Sequence, residues 1–283
     1  MDLGAEVKRL RLDLDAVAVS GCLSSAGIPH AVIKGPTVAT WLYDPPRDYN
    51  DIDVLVPYSA VPAVVSALGA AGVAAPAGGA VGEEAQHSFF MRTTTGYELD
   101  VHVALPVCPA YDDTTWRAVA PHAVDMQLDV GSIRSLDEAG RCLVVALHAL
   151  ASDGDLDRRV EDLRRAVDAA DPESWSSARK IAEEIGVVDL LDGGLARLAV
   201  EPPAASVMSR RAWVLFSGAP SGRQALERLR TAPRRQLPRL LWRELFPTRG
   251  FMRTAYPRHP NTTWGLLAAY AVRLRGIVRG LRE

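Results

Sequence analysis

Two short runs carry the residues of this chain best suited to chemistry. In Asp51-Ile52-Asp53-Val54-Leu55-Val56 the acids alternate with aliphatic residues, and in Tyr97-Glu98-Leu99-Asp100-Val101-His102-Val103 three polar groups do the same. Period-two alternation is the pattern of a strand with one apolar and one polar face. Same-face residues lie about 6.6–6.8 Å apart along a strand, so Asp51 and Asp53 can grip one or two hard divalent cations through oxygen. Asp100 is the expected third ligand, with Glu98 as its substitute in another register. His102 is expected to buttress a carboxylate, because Mg2+ prefers oxygen. Cations held this way neutralise a triphosphate and activate an attacking oxygen.

The flanking segments must position these runs. A first helix, with Leu3, Val7, Leu10, Leu14 and Val17 as its apolar stripe, is expected to reach about Ala26, before Gly27-Ile28-Pro29 launches a strand ending at Lys34. Pro36 suits the first position of the next helix, which aims free amides at any anion beside Gly35. A stiff loop, Asp44-Pro45-Pro46-Arg47-Asp48-Tyr49-Asn50, leads into the acidic strand. Ser59 is expected to cap a helix carrying Val61, Val64, Val65 and Leu68 toward the sheet. Residues 74–84 are small and Gly-rich and read as a surface loop. Residues 87–93 and 97–103 read as a hairpin around Thr94-Thr95-Gly96, and 124–136 as one more.

This order of strand, Gly turn, helix and acidic strand resembles the start of the polymerase-β-like nucleotidyltransferase fold. Lys34-Gly35, the Arg loop, Asp51-Ile52-Asp53 and Asp100-Val101-His102 more narrowly resemble the bacterial family described as uncharacterised nucleotidyltransferases, often encoded near natural-product and peptide-modification genes. The resemblance runs through roughly residues 28–165. It implies a metal-dependent enzyme that transfers a nucleoside monophosphate from an NTP, ATP foremost, to a small-molecule or peptide acceptor, with Mg2+ or Mn2+ on Asp51, Asp53 and Asp100. Asp100 would also serve as base for the acceptor. Lys34, Gly35, Thr37 and Arg47 would contact the nucleotide. The superfamily usually has Ser after this Gly; here Pro36 stands there, and Thr37 is the nearest hydroxyl. That departure leaves open a catalytically inactive binding or scaffold protein that partners a biosynthetic enzyme, and more distantly an RNA-tailing relative. His148 and Asp162 fall where the family has a His on one helix and an Asp on the next, and are expected to pair.

From Asp137 onward the pattern is helical: 138–152, 156–169, 181–198, two Arg-rich helices at about 221–230 and 234–246, and a last helix capped by Asn261. Its expected stripe is Leu267, Tyr270, Ala271, Leu274, Ile277, Val278 and Leu281. The fold class is therefore α+β: a small mixed-sheet core in residues 1–136 followed by an all-helical, Arg-rich half in 137–283. No internal repeat and no heptads are read. Net charge is −2, but residues 210–283 hold sixteen Arg and three acids, a balance of +13, leaving −15 on the remainder. Such a split suits an anionic partner or docking of one half on the other. Arg249 and Arg253, flanking Phe251, are the expected triphosphate contacts from the basic half. A stacking platform of interleaved aromatics is missing, so nucleic acid is not the expected partner. Three widely spaced cysteines, no leader pattern and no run of about 20 apolar residues give a cytoplasmic protein with buried thiols and no membrane span. Repulsion among the clustered acids would make Asp53→Asn stabilising without metal.

Overall fold

The computed structural model describes residues 3–76, 88–108, 112–151, 155–199 and 207–217, and then 226–227, 229–230, 234, 237–246, 252 and 262–282. Its strands are β1 (Ala31–Val32), β2 (Asp51–Leu55), β3 (Ala74–Pro76), β4 (Ser88–Thr93), β5 (Glu98–His102), β6 (Ala123–Leu128) and β7 (Gly131–Leu136). They form one mixed sheet in the order β3-β4-β5-β2-β1-β7-β6. The two central pairs, β2 with β5 and β1 with β7, are parallel, and the hairpins β4–β5 and β6–β7 are antiparallel. The start of the expected surface loop at 74–84 is in fact strand: Ala74, Ala75 and Pro76 pair with Thr93, Arg92 and Met91. Pro76 at the end of this edge strand needs no ladder donor, which is why a Pro is tolerated there.

Helix α1 (Leu3–Ser25) packs against β7, β1, β2 and the helix α3 (Val61–Ala70). It does so through Leu12, Ala16, Val19 and Leu23, all fully buried. The expected stripe faces the other way: Leu3 is 73% exposed, Val7 42%, Leu10 46% and Leu14 49%, with Val17 half-buried. Both rows have helical spacing, and the sheet takes the one with the smaller Ala16, which permits close approach. In α3 the expected inward residues hold: Val61, Val64 and Leu68 are buried, and Val65 is half-buried. Ser59 does not cap it; its hydroxyl and amide bond Asp113 instead.

Polar ties fix α1 to the sheet. Asp15, buried, accepts from Thr93 at 2.7 Å and from Thr95 in the β4–β5 turn. His30 Nδ1 lies 2.9 Å from the Ile28 carbonyl, which can only accept, so Nδ1 carries the proton. Nε2, 2.9 Å from Ser20 Oγ, then accepts from that hydroxyl, whose oxygen accepts the Arg134 amide of β7 at 2.8 Å. This chain needs neutral His30, and burial holds its pKa below the usual value.

After β7 the helices follow: α5 (Glu138–Leu150), α6 (Leu156–Ala169), α7 (Pro172–Glu184), α8 (Val188–Leu195) and α9 (Arg210–Phe216), with α2 (Pro36–Leu42) and α4 (Thr114–Val119) earlier in the chain. Asp137 caps α5, accepting from the Gly140 amide at 2.9 Å. Rather than presenting one apolar face, α5 buries ten of its residues and packs against α6, α7, α8, α9 and β7. A helix apolar on nearly all sides is a core helix. The helix expected over 181–198 is two: Gly186, at φ +69°, ends α7 in a left-handed turn that its neighbours cannot adopt cheaply. Beyond residue 217 the described helices are Leu237–Leu245 and Thr263–Arg282. The Thr262 hydroxyl caps the latter through the Gly265 amide at 3.1 Å; Asn261 lies outside the described residues. Its apolar stripe is only partly covered, with Leu267, Ala271 and Val278 exposed.

Two outcomes follow from this packing. A Cβ on Gly194 would sit 2.0 Å from the Ala146 carbonyl oxygen, so Gly194→Ala must push α8 off α5. We expect a loss of about 3 kcal/mol or more in denaturant unfolding. For His30, above about pH 6.5 folded and unfolded chains are both neutral and its contribution is complete; below that the unfolded chain takes up the proton first and stability is lost. Melting between about pH 7.5 and about pH 5 should therefore fall less for His30→Asn than for the parent.

Candidate active site

The parallel register of β2 and β5 sets Asp51 opposite Glu98, Asp53 opposite Asp100 and Leu55 opposite His102. Residues opposite one another project to the same side, so Asp51, Asp53, Glu98, Asp100 and His102 share one face. The apolar residues between them, Ile52, Val54, Leu99 and Val101, fill the core on the other. His102 Nε2 lies 2.8 Å from Asp53 Oδ1 and 3.2 Å from Asp100 Oδ2. Lys34, arriving at the end of β1, puts Nζ 2.7 Å from the same Asp53 oxygen.

Burial alone would raise the Asp53 carboxyl, but Lys34 and the hydrogen bond from His102 hold it well below the carboxylate range. Burial pulls His102 down, and Asp100 and then Asp53 more than reverse this, to about 9. Without metal the imidazole is thus a cation at neutral pH. Lys34 is likewise raised, by Asp53, Asp51 and Asp100 against its burial. Asp51 is raised by burial and by the Asp53 charge. Three carboxylates therefore face two cations.

Ligand atoms of Asp53, Asp100 and His102 all lie within 4.8 Å of one another, the spacing of a metal site among the described residues. Asp51 shares the face but is not in that group. Asp100 Oδ1 is buried with no hydrogen-bond partner among the described residues. A buried carboxylate oxygen without a donor is costly, and a cation would satisfy it. Two carboxylates with an imidazole behind them suit a divalent cation. His102 lies against a carboxylate as the alternation suggests, and it meets two of them, Asp53 and Asp100.

The Gly35 turn abuts this cluster. At φ +70°, Gly35 would bring a Cβ to 2.9 Å from the Asp51 carbonyl and 3.2 Å from the Tyr49 ring. Only glycine lets the strand exit lie against the start of β2. Thr37, in the first turn of α2, is fully buried, and its hydroxyl has no partner among the described residues.

Arg47 reaches neither Asp53 nor the cluster. Its Nε and Nη2 hold Asp162 of α6 at 2.9 and 2.6 Å, and Tyr43 donates to the same carboxylate at 2.7 Å. The planar fork of guanidinium fits a carboxylate two bonds at a time, and this geometry commits it. Asp162 is thereby the anchor of the loop rather than the partner of His148. His148, on α5, has its pKa lowered well below the usual value by burial and then by Lys34 and Arg159, with Asp53 and His102 also acting on it. The charges of Lys34, Asp53 and His102 thus reach His148. Arg249 and Arg253 lie outside the described residues.

Residues 3–200 match the model of a family described as uncharacterised nucleotidyltransferase. This chain belongs to that family. Among solved structures, the nucleotidyltransferase-family chain is similar to a crystal structure of an antigenic nucleotidyltransferase-like protein from Paracoccidioides brasiliensis. That pair is 9% identical over 64% of this chain and 92% of the other, with a TM-score of 0.39. It is also similar to the solution structure of the antibiotic-resistance factor ANT(2'')-Ia, at 15% identity over 65% of this chain and 96% of the other, with a TM-score of 0.43. No curated protein matches it. Among the described residues no helix is long and apolar enough to cross a membrane.

The charge balance reverses the expected effect of Asp53→Asn. That change strips buried Lys34 and His102 of their shared anion, and it should lower metal-free stability by about 2–4 kcal/mol. Asp51→Asn, which removes repulsion instead, should raise the metal-free melting temperature.

Proposed function

We propose that this protein transfers a nucleoside monophosphate from an NTP to a small-molecule or peptide acceptor, with Mg2+ or Mn2+ held by Asp53 and Asp100. The observation that carries this reading is the unpartnered buried Asp100 oxygen beside Asp53 and His102. A bound divalent cation supplies charge neutralisation to the triphosphate and acidity to the acceptor hydroxyl. The protein's own residues do the rest. His102 orients both carboxylates and fixes their spacing. With a cation held by Asp53 and Asp100, Lys34 would be free to meet a phosphate oxygen, and the Gly35 turn lets a phosphate approach the backbone closely. Asp51 adds negative charge on the same face and can complete a second cation position. Asp100 accepts the proton of the acceptor hydroxyl as its oxygen bonds to the α-phosphorus and the bond to pyrophosphate breaks. His148, from the helical half at residues 137–283, is near enough for the charges of Lys34, Asp53 and His102 to act on it, so that half is where the acceptor is chosen.

A binding-only reading has its own support. Pro36 offers neither hydroxyl nor N–H beside Gly35, and Thr37 is buried rather than open to a phosphate. Calorimetric titration of each NTP with and without Mg2+ separates the two, together with pyrophosphate release in the presence of candidate acceptors. We expect NTP binding that needs the metal and weakens at least about tenfold in Asp53→Asn and Asp100→Asn. Binding indifferent to both metal and Asp53→Asn would sink the catalytic reading.

A further inference from the structure

The outer face of α1 has no partner among the described residues. Leu3, Val7, Leu10 and Leu14 are exposed along it, and Val17 continues the line half-buried. Their intervals are four, three, four and three residues, a short heptad seam that the sequence reading missed. The opposite side of α1, through Leu12, Ala16, Val19 and Leu23, is the side fixed to the sheet. Val17 lies against the Gly131 turn, so the part of the seam open to a neighbouring helix runs from Leu3 to Leu14.

We propose that this face docks against the same face of a second copy, as a parallel helix pair about a two-fold axis. The charged residues flanking the seam select this occupant. With Val7 and Leu14 at the first seam position of each heptad and Leu3, Leu10 and Val17 at the second, Glu6 and Asp13 precede the seam and Arg11 follows it. In a parallel pair the flanking residue before the seam meets the one five places later in the other copy. Glu6 then faces Arg11 of the second copy, and the two-fold axis makes that pair twice. An antiparallel pair would instead set Glu6 against Asp13, two acids together. Glu6 and Arg11 are both exposed and take part in no ion pair among the described residues. The charges of the seam region, Glu6, Lys8, Arg9, Arg11, Asp13 and Asp15, balance, so two copies approach without net repulsion. The basic segment 210–283 is a poorer candidate for self-association, because pairing it would oppose two charges of +13.

Sedimentation equilibrium of the full chain across a dilution series tests this. The parent is expected at twice its 30.5 kDa mass and Val7→Asp/Leu10→Asp at the single mass. Those residues are solvent-facing, so the variant keeps its far-ultraviolet dichroism. The charge swap decides independently of that variant: Glu6→Arg alone should weaken the dimer about tenfold, and Glu6→Arg/Arg11→Glu should restore it. A parent that stays monomeric throughout assigns the face to a different partner and overturns the proposal. So does a dimer that survives Val7→Asp/Leu10→Asp, or a double swap that fails to restore what Glu6→Arg lost.

Discussion

The register between β2 and β5 is the constraint on which the site depends. Five ionisable side chains share a face only because Asp53 lies opposite Asp100 in a parallel pair. A slip of one residue would send Asp51 and Asp53 into the core and Ile52 and Val54 out of it. The apolar set Ile52, Val54, Leu99 and Val101 thus fixes the register, and the register delivers the carboxylates. Burying acids so deeply is tolerable because Lys34 and protonated His102 meet them there, both on the Asp53 oxygen. The same cations are what a divalent ion and a triphosphate would displace or recruit.

The loop over residues 43–50 connects that site to the rest of the molecule. Tyr49 donates to Asp13, Lys8 to Asn50, and Arg158 to the Asp48 carbonyl. Arg47 and Tyr43 close on Asp162, while Arg165 lies 4.3 Å over the Tyr43 ring. Burial and the hydrogen bond to Asp162 push the Tyr43 phenol up to about 12, so it stays a donor at any physiological pH. The loop is therefore gripped by α1 on one side and α6 on the other, immediately before Asp51. The helical half is tied to the segment before Asp51 by the Arg47–Asp162 pair, the Tyr43–Asp162 bond and the Arg158 contact to Asp48. Arg47 acts here as a positioning residue.

Most of the sheet was legible because period-two alternation in 51–56 and 97–103 leaves few alternatives. Asp51, Asp53 and Asp100 were placed on one face correctly for that reason. What the sequence hid is long-range and has a physical cause in each case. Helix α1 carries two apolar rows, and spacing alone does not say which one the sheet selects. Asp162 was read as a helix partner of His148, since nothing local reveals that Arg47, 115 residues earlier, fills its carboxylate. The effect of Asp53→Asn was misjudged because repulsion among acids is visible in a sequence, whereas two cations converging on one oxygen are not. Val7 and Leu10 looked like core because their helical spacing is the same as that of the buried row Leu12, Ala16, Val19 and Leu23.

The central claim is that Asp53 and Asp100 hold a divalent cation with His102 behind them. Anomalous diffraction from crystals grown with Mn2+ and a non-hydrolysable NTP tests it most directly. The account predicts a manganese peak bonded to Asp53 and Asp100, with Lys34 turned from Asp53 toward the phosphates. A nucleotide bound elsewhere, or the Lys34–Asp53–His102 cluster intact and no peak beside Asp100, would contradict it.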